Sequence, residues 1–151
     1  MPEKTRKDKI VVFDWQPGIT RLLTNSLQTK GYEVYPANTI EETDVLIKKH
    51  QPDLVIIDTH TPTGGWSDIG KEIGLIKRIR NIHPDIFIIA LAPDDNDHAI
   101  FTLWNTGVDS ALTKPINPRE ISFFVEKILR SRDEDEPIWG DVDPSGRDFH
   151  L

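Results

Sequence analysis

The sequence contains no cysteine among its 151 residues. Disulfide bonds, thiolate catalysis and cysteine metal sites are therefore excluded, and a reducing compartment is compatible with the chain. The N-terminus, MPEKTRKDKI, has charges but no apolar signal-peptide segment after them, and no uncharged apolar run is long enough to span a bilayer. We expect a soluble, cytoplasmic protein.

Clustered basic charge is also lacking. The formal net charge is −7, and residues 133–151 hold seven acids and one base, a net of −6, which leaves −1 for residues 1–132. Binding to a nucleic-acid backbone requires concentrated positive charge, so direct nucleic-acid binding is not expected. We interpret residues 133–151, rich in acids, Pro and Gly, as a flexible acidic tail; Trp139 and Phe149 keep a docking peptide open as the alternative.

Short β-branched runs alternate with amphipathic segments of helical length between Lys9 and Arg132. This alternation is typical of βα units around a parallel sheet, and the length suits one domain with a single core. The sequence predicts an α/β fold, with 1–8 as an N-terminal extension, 9–132 as the domain and 133–151 as the tail. The predicted strands are Ile10–Phe13, Glu33–Tyr35, Leu54–Ile57, Ile86–Leu91 and Ala111–Thr113.

Helix signals separate these strands. Thr39 followed by Glu42 resembles a capping box, and Asn117 with Pro118 resembles a cap with proline at the first helical position. The predicted helices begin near residues 19, 40, 68, 95 and 118, and the first four end near residues 31, 50, 81 and 105. The last is expected to bury Ile121, Phe124, Val125, Ile128 and Leu129.

Three charged residues close strands that lie far apart in the sequence. Asp14 closes the first strand, Asp58 the third and Lys114 the fifth. In an open parallel sheet, the carboxyl ends of the strands form the crevice where ligands bind, so these side chains are expected to meet there. Each alone is more often a turn former, a helix cap or a solvated charge, but together they indicate an acidic site with a neutralising cation. Such a set suits Mg²⁺ and phosphoryl transfer with an aspartate as nucleophile.

The chain from Lys9 onward resembles the receiver domain of bacterial response regulators, the phosphoacceptor part of two-component signalling. The resemblance rests on DKIVVFD, GYEV, PDLVIIDTHTP and NTGVDSALTKP followed by NPREI. It implies a flavodoxin-like, doubly wound (βα)5 fold with five parallel strands flanked by five helices. It also implies that Asp58 is the phosphoacceptor, that Asp14, Asp58 and the backbone carbonyl of His60 bind Mg²⁺, and that Lys114 contacts the phosphoryl group.

The chain keeps the family's Lys-Pro pair at Lys114-Pro115, a bond commonly cis in the family, but departs from the family at three positions. Trp15 stands where the second metal-binding acid is usual, so we expect metal affinity to be weaker by on the order of ten- to a hundred-fold. Ala92 stands where Thr or Ser is usual, and alanine offers no hydroxyl to a phosphoryl oxygen. Ala111 stands where an aromatic ring usually reports phosphorylation. Both halves of the family's Thr-aromatic switch are therefore missing.

The segment TGGWSDIG after Pro62 is longer than the family's usual connection, by about four residues. Gly64, Gly65 and Trp66 lie in it and would form either a lid over the site or a longer surface loop. We expect the surface loop.

Two functions stay open on the sequence. One is an atypical receiver that accepts phosphate on Asp58, and the other is a pseudo-receiver that serves as a protein-interaction module without phosphorylation. Similarity to haloacid-dehalogenase-type phosphatases is weak because His60 stands where their general acid is found. Similarity to cobalamin-binding domains is weak because Thr63 stands where their glycine is found. We do not expect an enzyme.

The resemblance also implies protein partners. A sensor histidine kinase or a phosphotransfer protein would supply the phosphoryl group, and the family's output face usually combines the fourth helix, fifth strand and fifth helix. The 19 residues after Arg132 cannot hold an output domain, so a complete chain would act by protein contact. A homodimer is also compatible, and no membrane contact is expected. The aromatic residues in the output region are Phe101, Trp104, Phe123 and Phe124, and any that are exposed would form a docking patch.

Overall fold

The computed structural model describes residues 7–59, 70–93 and 97–134, which form alternating strands and helices around one sheet. The strands pair in parallel in the order β2-β1-β3-β4-β5. The predicted doubly wound (βα)5 fold is therefore confirmed. The elements are β1 (Lys9–Phe13), α1 (Pro17–Thr29), β2 (Glu33–Ala37), α2 (Ile40–His50), β3 (Leu54–Asp58), α3 (Gly70–Ile82), β4 (Phe87–Ala92), α4 (Asp97–Trp104), β5 (Ser110–Thr113) and α5 (Pro118–Glu134).

Successive side chains of each strand point to opposite faces of the sheet and build two apolar layers. On one face, Val11 and Phe13 of β1 pack in a cluster with buried residues of α2, α3 and α4. On the other face, Ile10 and Val12 pack in a cluster with α1 and α5. Because helices cover both faces, β1 and β3 have almost uninterrupted apolar sequences.

The predicted helix caps are present. The Thr39 hydroxyl accepts a hydrogen bond from the Glu42 backbone N–H at 3.0 Å, while the Glu42 carboxylate accepts from the backbone N–H of Asn38 at 3.3 Å. The Asn117 side-chain oxygen accepts from the N–H of Arg119 at 3.0 Å. Gly31, with φ +98°, follows α1 in the left-handed region that favours glycine. None of the helices in the described ranges is long and apolar enough to cross a membrane.

Two elements extend two residues beyond their predicted ends. β2 continues through Pro36 to Ala37, which is tolerated because β2 lies at the edge of the sheet, where one row of backbone groups has no neighbouring strand. α5 continues to Glu134, two residues into the segment predicted as tail. Its last turn is held by Arg132, whose guanidinium lies 3.1 Å from Asp8 and 3.2 Å from Asp53.

Arg80 joins three elements at the amino edge of the sheet. From α3, its guanidinium donates to the carbonyl oxygens of Pro84 and Ile86 at 2.9 Å and to that of Gly107 at 2.8 and 3.0 Å. It also pairs with Asp109 at 2.9 Å, whose carboxylate accepts from the N–H of Ile88 in β4. This one side chain fixes the end of α3 to the start of β4 and to the turn before β5.

Candidate functional site

Asp14, Asp58 and Lys114 meet at the carboxyl edge of the sheet, as predicted. Asp58 is the last residue of β3, and Asp14 and Lys114 directly follow β1 and β5. The Lys114 Nζ lies 3.0 Å from Asp58 Oδ1 and 3.2 Å from Asp14 Oδ2. Both carboxylates are buried, whereas the Lys114 side chain is 20% exposed. One ammonium thus bridges two buried carboxylates with a path to solvent.

The backbone around Asp14 is held on several sides. Its N–H donates to the carbonyl oxygen of Ala37 at 3.2 Å, and its own carbonyl oxygen accepts from Asn38 Nδ2 at 2.9 Å. Its Oδ1 accepts from the backbone N–H of Gln16 at 2.9 Å, which leaves Oδ2 directed to Lys114. Burial of the carboxyl group and the negative charge of Asp58 raise the pKa of Asp14 from 3.8 to about 6.

The backbone of Lys114 continues the pairing of β5 with β4. Its N–H donates to the carbonyl oxygen of Ala92 at 2.8 Å, and the Lys114-Pro115 peptide bond is cis, as the family resemblance implies. Beside Asp58, Thr59 donates through both its N–H and its hydroxyl to the carbonyl oxygen of Leu91, at 2.9 and 2.7 Å. These contacts fix the chain on each side of the charged residues.

Comparisons with known proteins identify the family of this chain. The family model described as "Response regulator receiver domain" matches residues 10–126. The chain belongs to the response regulator receiver family. The "Probable transcriptional regulator ycf27" of Porphyra purpurea is 30% identical over 132 residues, covering 87% of this chain and 51% of the relative. The "Alkaline phosphatase synthesis transcriptional regulatory protein PhoP" of Bacillus subtilis is 30% identical over 122 residues, covering 81% of this chain and 48% of the relative.

Solved structures show the same receiver fold. A two-component response regulator from Clostridium difficile is similar with a TM-score of 0.74 and 26% identity, covering 84% of this chain and 99% of that one. A CheY-like receiver domain protein from Methanospirillum hungatei JF-1 has a TM-score of 0.74 at 21% identity, covering 86% of this chain and 99% of that one. By contrast, this chain spans about half the length of the curated relatives it matches.

Receiver domains are signalling phosphoacceptors of two-component pathways and are generally not enzymes, and they typically bind Mg²⁺ at the phosphorylation site. In this receiver, two carboxylates converge at the corresponding edge, and no group of three or more His, Cys, Asp or Glu side chains in the described ranges could hold a metal ion. Because Mg²⁺ is commonly bound through one or two carboxylates plus water and phosphate oxygens, Asp14 and Asp58 fit it as a reduced ligand set. His60, the third predicted ligand, lies outside the described residues, as do Gly64 and Trp66.

The side chain of Trp15 contacts Phe13 and Glu72. Its ring packs edge-to-face on Phe13 with centroids 5.3 Å apart, and its Nε1 donates to Oε2 of Glu72 at 3.0 Å. Glu72 lies in the first turn of α3 and is fully buried. The sequence analysis missed this acid. The available signal was its spacing, because Glu72 shares a helix face with Leu75, Ile76 and Ile79.

Ala92 and Ala111, the two positions predicted to lack the family's switch residues, lie in the apolar core. Ala92 ends β4 and Ala111 lies in β5, where it pairs with Ala90, and both methyl groups belong to the cluster beneath α2, α3 and α4. Neither position offers a hydroxyl or an aromatic ring to the site.

Proposed function

We propose that this receiver accepts a phosphoryl group on Asp58 in a two-component pathway and acts through protein contacts. The observation that carries the proposal is the Lys114 ammonium, which lies 3.0 Å from Asp58 Oδ1 and 3.2 Å from Asp14 Oδ2 at a buried but accessible edge.

Asp58 is the nucleophile in this mechanism. A carboxylate oxygen attacks the phosphorus of a phosphohistidine or acetyl phosphate donor, and the new O–P bond forms as the donor's N–P or O–P bond breaks. The bonding electron pair leaves with the imidazole or the acetate. Lys114 holds the phosphoryl oxygens by charge-assisted hydrogen bonds, while the contacts of Thr59 with Leu91 keep the main chain beside the nucleophile in place.

Asp14 and Asp58, with the backbone carbonyl of His60 that the family resemblance implies, would hold Mg²⁺. When bound, the ion neutralises charge on the phosphoryl oxygens. With Trp15 in place of a further acid, we propose that affinity for the ion is low.

The output surface is proposed on α4, β5 and α5. Phe101 of α4 and Phe123 of α5 are 69% and 60% exposed, whereas Trp104 and Phe124 are half-buried and pack against the core. The two exposed rings are available for a downstream protein or for a second copy of this chain. A sensor histidine kinase or phosphotransfer protein is the proposed phosphoryl donor, in the cytoplasm.

A pseudo-receiver is the second candidate. Trp15, Ala92 and Ala111 remove an acid, a hydroxyl and a ring that the family usually has, and a bridging lysine also satisfies two carboxylates in a purely structural role. In that case the fold would present its protein-binding surface without phosphorylation.

Phosphorylation itself separates the two candidates. The chain is incubated with acetyl phosphate and millimolar Mg²⁺, and its intact mass is measured. We expect a gain of one phosphoryl group that is lost in Asp58→Asn and kept in the control Asp44→Asn, which changes an exposed carboxylate on α2. No gain with either acetyl phosphate or phosphoramidate would favour the pseudo-receiver.

A further inference from the structure

A continuous series of contacts runs from the acidic site to α3. The Lys114 Nζ lies 3.2 Å from Asp14 Oδ2, and Asp14 Oδ1 accepts from the N–H of Gln16 at 2.9 Å. The Asp14 carboxylate therefore closes a hydrogen-bonded ring across the backbone of Trp15. The indole of Trp15 then donates to Glu72 in α3 at 3.0 Å.

The contacts of Asp14 determine where a movement of its carboxylate is transmitted. The main chain of Asp14 is held to Ala37 and Asn38, so a reorientation of its carboxylate acts on Gln16 N–H rather than on β1. Gln16 N–H and the backbone of Trp15 form the turn into α1. A change in this turn moves the indole, because the indole is attached to it.

The start of α3 has a lower intrinsic helix propensity than its end. It contains Gly70 and Gly74, and a glycine inside a helix costs roughly 0.5–1 kcal/mol relative to alanine. Packing does not require a glycine at 74, since an added Cβ would meet only Arg78 Nη1, at 3.7 Å. The hydrogen bond from Trp15 to Glu72 is thus a tertiary restraint on turns that have low intrinsic helix propensity.

We propose that the Trp15–Glu72 hydrogen bond couples the state of the acidic site to the first two turns of α3, which then carry the conformational response of this receiver. The proposal rests on the acidic site assigned above and replaces the switch that Ala92 and Ala111 cannot provide. Loading of the site draws Asp14 Oδ1 from Gln16 N–H, shifts the indole and releases or re-seats Glu72.

A substitution cycle tests the coupling without a phosphoryl group or a metal. The readout is native-state hydrogen exchange at the amides of Gly74, Leu75 and Ile76, which in a helix donate to the carbonyls of the first turn. Asp14→Asn is made in the wild-type background and in the Trp15→Phe background, which keeps a ring on Phe13 but removes the indole donor. We expect Asp14→Asn to change these exchange rates by at least about threefold with Trp15 present and to leave them unchanged in the Trp15→Phe background.

Trp104→Phe is the matched control, since it removes a half-buried indole on α4, and the effect of Asp14→Asn should persist in it. Equal changes in both Trp15 backgrounds, or changes at α2 amides as large as those at α3, would overturn the coupling. Failure of Asp58 to take up phosphate is a separate measurement: it would refute the proposed phosphoacceptor and leave the result of the cycle as it stands.

Discussion

Asp14 makes three kinds of contact: with the main chain of its own turn, with the ammonium of Lys114 and, through charge, with Asp58. The turn and the ammonium stabilise its ionised form, but burial and the second carboxylate oppose it more strongly, and the pKa rises to about 6. Ionisation of Asp14 is therefore less favourable in the folded protein than in the unfolded chain.

The raised pKa of Asp14 predicts an unusual pH dependence of the free energy of unfolding. The folded pKa of Asp14 is raised from 3.8 to about 6, so the folded state binds the extra proton in between, and stability from this group is lost as pH rises through that window. Urea unfolding in EDTA at about pH 5 and about pH 7.5 should show Asp14→Asn gaining stability relative to wild type at the higher pH. A constant difference between the two proteins would contradict the shift.

A substitution at Trp15 tests the proposed low affinity for Mg²⁺. Trp15→Asp restores a hard oxygen ligand, so we expect Mg²⁺ affinity to rise by about ten- to a hundred-fold, by analogy with the loss of supporting ligands. The measurement is calorimetric titration, or quenching of the remaining three tryptophans. If affinity does not change, Asp14 has a structural role only and the pseudo-receiver is favoured.

At the scale of elements, α3 differs between its two ends. Its beginning depends on Glu72 and contains Gly70 and Gly74, while its end is fixed by the five hydrogen bonds that Arg80 donates. The contribution of each end of α3 to stability is therefore tested by a different substitution.

For the beginning of α3, Gly74→Ala should stabilise the domain by about 0.5–1 kcal/mol, because it lowers the entropy of the unfolded chain without a clash. Gly31→Ala is the opposite case: φ +98° is strained for alanine, so we expect a loss of about 1 kcal/mol or more. Urea unfolding of both variants measures these changes in the free energy of unfolding. Destabilisation by Gly74→Ala would mean that the glycine has a packing role.

For the end of α3, Arg80→Met should destabilise the domain by about 2–4 kcal/mol, since it removes the donor to three carbonyl oxygens and the cation that pairs with Asp109. Arg78, two residues earlier, provides the control. Its side chain is 48% exposed and pairs with exposed Asp44, so Arg78→Met should cost less than about 1 kcal/mol. Similar losses in the two variants would contradict this assignment.

Sequence reasoning located Asp14, Asp58 and Lys114 because the topology of a parallel sheet decides which loop ends meet, and topology follows from the alternation of apolar runs. It could not locate Asn38 or Glu72. Their roles depend on side-chain direction after packing, and an acid in the first turn of a helix is ordinarily a solvated residue that favours the helix dipole.

On the scale of the whole molecule, the exposed aromatic rings of the described residues lie on two helices. Phe101 and Phe123 are exposed on α4 and α5, whereas the same helices bury Leu103, Ile121 and Val125. Spacing alone placed all these residues in helices but could not say which aromatic rings would be covered, since that depends on how each helix is rotated against the sheet.

Phe101→Ser tests whether this surface is for binding. Because the ring is 69% exposed, the free energy of unfolding should change by less than about 0.5 kcal/mol. Self-association or partner binding should weaken, as measured by sedimentation of the phosphorylated chain. A large drop in stability would show that the ring packs within the fold, and unchanged association would remove Phe101 from the interface.

Pro36 in β2 has a consequence for how copies of this domain can meet. A sheet grows sideways only where an edge strand offers an unbroken row of backbone donors and acceptors, and a proline removes one donor from that row. The opposite edge, β5, is four residues long and is followed at once by Lys114-Pro115. Continuous sheets or fibrils are thus disfavoured at both edges, and we expect contacts between copies of this domain to be made by side chains rather than by strand pairing.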